Sequence, residues 1–291
     1  MDIVEIFRCK NITQSTVQLY KSKLNKLNDN KPINNLNFLY DTNDIKSKIM
    51  HLKPNTQRSY IIAITSILKC MTLQASKPSK KLLELYTSYS KLLDQYNTDL
   101  KDQTNNNTNV ISTDKIKTIY DNLKKNKNKS LQSYQDYLIV SLYYLIAPRR
   151  NRDYQLLKVV SNYDNDLSND YNYYDGKNFY FNNYKTKGTY HQQIVEVPDD
   201  LVRIIDDYID INEIKDNDYL LTSIKTGQPL TTNNSITVIL NRIFNDKIGS
   251  SALRRSYLTN KYSDIQTELS NDVRAMGTSK DVAQNNYIKK R

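Results

Sequence analysis

Tyr287, Arg254 and Arg150 are a phenol and two permanent cations, the parts needed for attack on a phosphodiester by a side-chain oxygen. Moving a phosphoryl group onto a tyrosine needs a nucleophile, a clamp for charge on the non-bridging oxygens, and an acid for the leaving 5′ oxygen. Arginine suits the clamp, because its planar fork donates two parallel hydrogen bonds to phosphate and keeps its charge. A free tyrosine titrates near pKa ~10, so two neighbouring cations would favour ionisation of Tyr287 as it attacks. The C-terminal run supplies the parts in order: Ser251-Ala-Leu-Arg254, then Met276-Gly-Thr278, then Tyr287, nine residues after Thr278 and 33 after Arg254. Any one of the 24 tyrosines alone reads as structural; the joint order carries the chemistry.

Together these residues resemble the tyrosine recombinase, or phage integrase, family. The resemblance places the family's first catalytic arginine, followed three residues on by a carboxylate, at Arg150 with Asp153, and leaves Arg149 as the alternative register. It places the family's hairpin lysine, a general acid over the leaving 5′ oxygen, at Lys185 in Lys185-Thr-Lys-Gly, with Lys187 a close competitor. The family's His-x-x-Arg box falls on Ser251 to Arg254 with serine in the histidine position, and its Gly-His pair puts Thr278 in the second. The only histidines in the chain are His51 and His191, so neither usual histidine is available. A serine or threonine donates a hydrogen bond but carries no positive charge. Slower cleavage is expected, or a share of the load on Arg255 and the lysine.

What the resemblance implies is a site-specific DNA recombinase or integrase, working on double-stranded DNA without metal, ATP or other cofactor. It would cut one strand through a 3′-phosphotyrosine, leave a free 5′-hydroxyl, and self-associate as a dimer or tetramer on DNA. The sequence ends at Arg291, four residues after Tyr287, which is short for a segment exchanged with a neighbouring subunit. The alternatives are a type IB-like DNA topoisomerase and a catalytically weak DNA-binding relative.

The elements that must position these residues read as two domains. Residues 13–28 align Val17, Tyr20, Leu24 and Leu27 on one helical stripe, and 56–73 do the same with Tyr60, Ile64, Ile67, Leu68 and Met71. Pro54 stands at a helix start, where a missing N–H costs nothing, and residues 80–96 give a further helix. Residues 1–103 are therefore expected to be a helical bundle, which the resemblance identifies as a core-binding, SAM-like domain that closes with the second domain round DNA. The polar tract at Asn105 reads as a linker over 104–111, and 112–291 as the catalytic domain. There Ser112 signals a helix cap and residues 134–147 a buried helix. Strands are expected at 157–160, 178–184 and 192–197, the last two joined by a lysine-bearing hairpin turn. Helices follow at 201–211, 231–244, 251–262, 265–276 and 281–287. The expected fold class is mainly α with a small antiparallel sheet.

Composition agrees with a phosphate-bearing partner. The 291 residues carry 42 Lys and Arg against 31 Asp and Glu, a net charge of +11. Of this, +7 falls in residues 1–103. Such a charge speeds encounter with nucleic acid and releases counterions on contact. There is no signal-like leader and no apolar run near the ~20 residues of a membrane span, so a soluble, intracellular protein with no membrane partner is expected. Cys9 and Cys70 have no partners at metal-ligand spacing, a disulfide is not expected, and Cys70 reads as a core thiol. With five glycines and no Walker loop, a phosphate-loop enzyme is not indicated. Asp206-Asp207 and Asp216 with Asp218 could be read as a two-metal nuclease, but their setting favours solvated carboxylates. Abundant Asn, Lys, Ile and Tyr point to an AT-rich coding sequence, and the variant boxes look like those of viral or mobile-element integrases. Such an enzyme would act in the host nucleus or cytoplasm.

Overall fold

The computed structural model describes residues 1–10, 12–105, 110–230, 232 and 234–289. The chain divides into two compact units, Met1–Thr108 and Asn109–Arg291. Residues 106–109, the centre of the expected linker, lie outside the described residues, as do Thr231, where a helix is expected to start, and the final Lys290 and Arg291.

The first unit is helical throughout: α1 (Ile3–Ile6), α2 (Gln14–Leu27), α3 (Thr42–Ile49), α4 (Pro54–Gln74) and α5 (Lys80–Asn105). Side chains start the helices by accepting from orphan backbone N–H groups. Thr13 caps α2 through the Thr16 amide, and Asp41 caps α3 through Asn43 and Asp44. Pro54 opens α4, whose Ile61, Ile64, Ile67 and Leu68 are fully buried among Leu24, Leu27, Ile45 and Tyr89. One expectation is corrected here. Cys9 and Cys70 form a disulfide with Cα atoms 5.6 Å apart, so Cys70 is no free core thiol. The two are 61 residues apart, and only the packing of the N-terminal turn on α4 brings them together.

In the second unit Ser112 caps α6 (Thr113–Asn126) by accepting from the Lys115 amide. Ser130 likewise caps α7 (Leu131–Tyr144), which is buried from Tyr134 to Tyr143 and forms the core with α10 (Asp199–Ile211) and α11 (Ser235–Phe244). The short α8 (Asn151–Gln155) leads into a four-stranded sheet in the order β1 (Leu157–Val159), β2 (Asn172–Tyr174), β3 (Asn178–Phe181), β4 (Gln193–Glu196).

The sheet is mixed, not purely antiparallel as expected: β1 pairs β2 in parallel, and only β2–β3 and β3–β4 are antiparallel. β2 adds a strand to those expected; Asn172-Tyr-Tyr is only three residues long among turn-forming neighbours, too short for a period-two signal. The segment from β3 to β4 is not a plain turn either; Lys187–Tyr190 fold into one helical turn, α9. The helices expected at 251–262 and 265–276 are one, α12 (Ser250–Ala275), because Ser263 and Asp264 sit in an exposed interior where nothing breaks the backbone ladder. After α13 (Lys280–Val282) the chain widens into a π-helical turn, Ala283–Tyr287.

Candidate active site

Arg150 is the N-cap residue of α8, and α8 is bolted down at almost every position. Asn151 accepts from the Tyr143 hydroxyl at 2.7 Å and donates to Thr237 Oγ1 at 2.8 Å. Tyr154 donates to the Leu142 carbonyl at 2.8 Å, and Gln155 Nε2 donates to the Thr232 carbonyl and Ser235 Oγ, each at 2.7 Å. Asn172, fully buried in β2, uses all of its amide: Nδ2 donates to the carbonyls of Asp153 and Asn183, and Oδ1 accepts from the amides of Asn182 and Asn183. One side chain thus welds α8 to the sheet.

Arg254 reaches the same place from α12. Leu253 and Ser256 on either side are buried, and Ser256 Oγ accepts from the Ile111 amide at 2.8 Å, which sets the rotation of the helix. Ser250 Oγ accepts from the Asn151 amide at 3.4 Å and joins the start of α12 to the start of α8.

These elements enclose a cavity of about 220 Å³ lined by Arg149, Arg150, Arg254, Asp153, Tyr184, Thr186, Tyr190 and Gln193, with Ala147 and Pro148. Three guanidiniums face one carboxylate. Arg149 is the pinned member: Nε donates to Asp153 Oδ2 at 3.0 Å, Nη1 donates to Gln193 Oε1 at 2.8 Å, and the group lies 3.7 Å over the Phe181 ring. Arg150 and Arg254 form no ion pair among the described residues. Burial, then the charge of Arg150, holds the Arg254 guanidinium below its ordinary pKa, with Arg149 adding to the repulsion and Asp153 opposing it. Burial raises the Asp153 carboxyl above the usual range despite both arginines, and its Oδ1 is buried without a hydrogen-bond partner. Unpaired cations crowded in a half-buried hollow favour an anion that would relieve the repulsion. A larger cavity of about 480 Å³ beside Ile214 and Tyr219 is lined by no lysine or arginine.

Of the residues predicted to act, Arg150 and Arg254 come together. Lys185 and Lys187 are exposed on the segment between β3 and β4 and do not line the cavity, though Thr186 between them does. Ser251, exposed, lies one turn before Arg254 and is also outside the lining. Thr278 is likewise outside the lining, just past the end of α12. With Gly277 at φ +67°, the Thr278 amide donates to the Val273 carbonyl at 2.9 Å while the Gly277 amide donates to the Arg274 carbonyl, the Schellman closure of α12. Tyr287 is 63% exposed in the π-helical turn.

Sequence reading missed Tyr184, Tyr190 and Gln193, for which only their place in the lysine-bearing segment was a signal. The acidic pairs have structural partners: Asp206 accepts from Tyr174, Asp207 from Tyr134, and Asp216 from the Ser161 amide and hydroxyl, while Asp218 accepts from the Lys215 amide. Among the described residues no three His, Cys, Asp or Glu side chains come together as metal ligands, and no helix is long and apolar enough to cross a membrane.

No protein-family model matches the chain, and no curated protein matches it. Among solved structures, the crystal structure of XerA recombinase aligns with a TM-score of 0.36 at 16% identity, over 88% of this chain and 80% of that one.

Proposed function

We propose that this protein cuts and rejoins DNA strands as a tyrosine recombinase does. The observation that carries the reading is the convergence of Arg150 and Arg254, unpaired and half-buried, on one cavity beside the pinned Arg149. Two forks free to donate, in a site partly stripped of water, fit the non-bridging oxygens of a scissile phosphate.

In the proposed step Tyr287 Oη forms a bond to phosphorus, the bond from phosphorus to the 5′ oxygen breaks, and a 3′-phosphotyrosine results. The phenol proton passes to solvent, and the leaving 5′ oxygen takes a proton from Lys185. Attack by a 5′-hydroxyl on the phosphotyrosine reverses the step and conserves the diester. Ser251 and Thr278 take the positions where the family resemblance calls for histidine, and they leave the positive charge of the site to the arginines. The exposed positions of Lys185 and Tyr287 fit groups that approach the phosphate when duplex is bound.

The test is incubation with a nicked suicide duplex in the presence of a metal chelator. A covalent protein–DNA adduct that survives denaturation is expected. Binding of duplex with no adduct on any nicked substrate would favour the reading as a DNA-binding relative that has lost cleavage.

A further inference from the structure

We propose that Tyr190 is a further phosphate contact in the arginine cavity, its phenolic O–H donating to a non-bridging oxygen at the point where Ser251 and Thr278 fail to reach. The inference rests on the reading of the cavity as a phosphodiester site. Five hydroxyl or phenol groups are in question, and four are disqualified or weaker by position. Neither Ser251 nor Thr278 lines the cavity. Tyr184 does line it, but its hydroxyl is spent on the His191 carbonyl at 2.7 Å.

Tyr190 lines the cavity with Arg149, Arg150 and Arg254, and the residue is 61% exposed, which leaves its phenol accessible to an incoming ligand. Among the described residues that hydroxyl has no hydrogen-bond partner. Thr186 also borders the cavity, but its shorter side chain holds the hydroxyl close to the backbone, whereas a phenol oxygen extends well beyond it.

The backbone around Tyr190 holds it there at a cost. His191, the next residue, has φ +54° and ψ −155°, a region that is otherwise nearly reserved for glycine. Two bonds keep it so: its amide donates to the Lys187 carbonyl at 2.8 Å, and its carbonyl accepts from Tyr184. The Tyr184 ring in turn lies 5.0 Å from the Arg149 guanidinium. A continuous chain of contacts, Arg149 to Tyr184 to His191, therefore ties the residue bearing the free phenol to the pinned arginine. Strain retained beside a cation cluster fits a residue set for binding, since a relaxed turn would release Tyr190 from the wall.

The experiment is titration of the full-length protein with inorganic phosphate at constant ionic strength, read by phosphorus NMR line broadening. It compares wild type, Tyr190→Phe, Thr186→Val and Arg254→Ala, with thermal melts to check folding. Loss of one hydrogen bond to a charged oxygen is expected to weaken phosphate binding in Tyr190→Phe by about tenfold or more, with an unchanged melt. Wild-type affinity in Tyr190→Phe while Arg254→Ala loses binding would overturn the assignment and leave the cavity's function standing, as would a loss confined to Thr186→Val. If Arg254→Ala also binds phosphate normally, the cavity is no anion site and both readings fall.

Discussion

Around Arg150 and Arg254 nearly every neighbour is held by a buried ring or a hydrogen bond, from Asn172 in the sheet to Ser256 in α12. Around Tyr287 the turn is a single π-helical loop with the phenol in solvent, and what precedes it is held by the backbone closure of α12, the Ser279 cap of α13 and one bond from exposed Lys280 to the Gln266 carbonyl. The arginine cavity is held by rigid elements on every side, whereas Tyr287, the nucleophile of the proposed step, is not enclosed. Pre-organised charge needs no rearrangement at the moment of reaction, so it belongs on rigid elements. Under the proposed function, a tyrosine outside the cavity would act only once bound substrate brings it in, and cleavage would be confined to bound substrate.

This contrast is most vulnerable on its rigid side. Phe181→Ala removes a fully buried ring that also supports Arg149, and a loss of about 3–5 kcal/mol in chemical denaturation is expected. A loss below about 1 kcal/mol would show that the wall of the cavity is not the stiff member.

Arg254→Ala should lower the rate of adduct formation by about 100- to 1000-fold. Its melting temperature should stay equal or rise, since a cation repelled by Arg150 is removed. A large fall in stability would mean that Arg254 has a structural role instead.

On the side of the tyrosine, Gly277→Ala places a side chain at φ +67° with open space around it, so only backbone strain is added. A cost of about 1–2 kcal/mol is expected, with slower adduct formation because the path to Tyr287 is re-aimed. An unchanged rate would show that this helix end does not direct the tyrosine.

The smallest effect is a pH slope. The folded Asp153 carboxyl sits above its unfolded value, so the folded state binds the extra proton. Its stabilising share is whole below about pH 3.9 and is lost as pH rises through the raised pKa. Wild type should therefore lose stability relative to Asp153→Asn between acid and neutral pH. A gain by wild type over that range would show that the ion pair with Arg149 outweighs burial.

The sequence already carried the helical stripes of α2 and α4 and the Ser112 cap, because periodicity and capping residues are local signals, while the family resemblance put Arg150 and Arg254 at one site and both line one cavity. It could not show what depends on distant partners. The Cys9–Cys70 bond spans 61 residues, and the parallel pairing of β1 with β2 depends on how a long connection returns, not on strand propensity. Ser263 and Asp264 looked like a helix boundary, since such residues favour caps, yet nothing nearby stops the helix. Gln193 and Tyr190 had no signal beyond their place near the lysines, and β4 and the turn α9 before it bring them to the arginines.

The most direct measurement of the central claim is adduct formation by Tyr287→Phe on the nicked suicide duplex, beside wild type at equal DNA occupancy. The account predicts a covalent band for wild type and none for the variant, with duplex affinity unchanged because the arginine cavity is intact. A covalent adduct from Tyr287→Phe would contradict it and move the nucleophile to another residue.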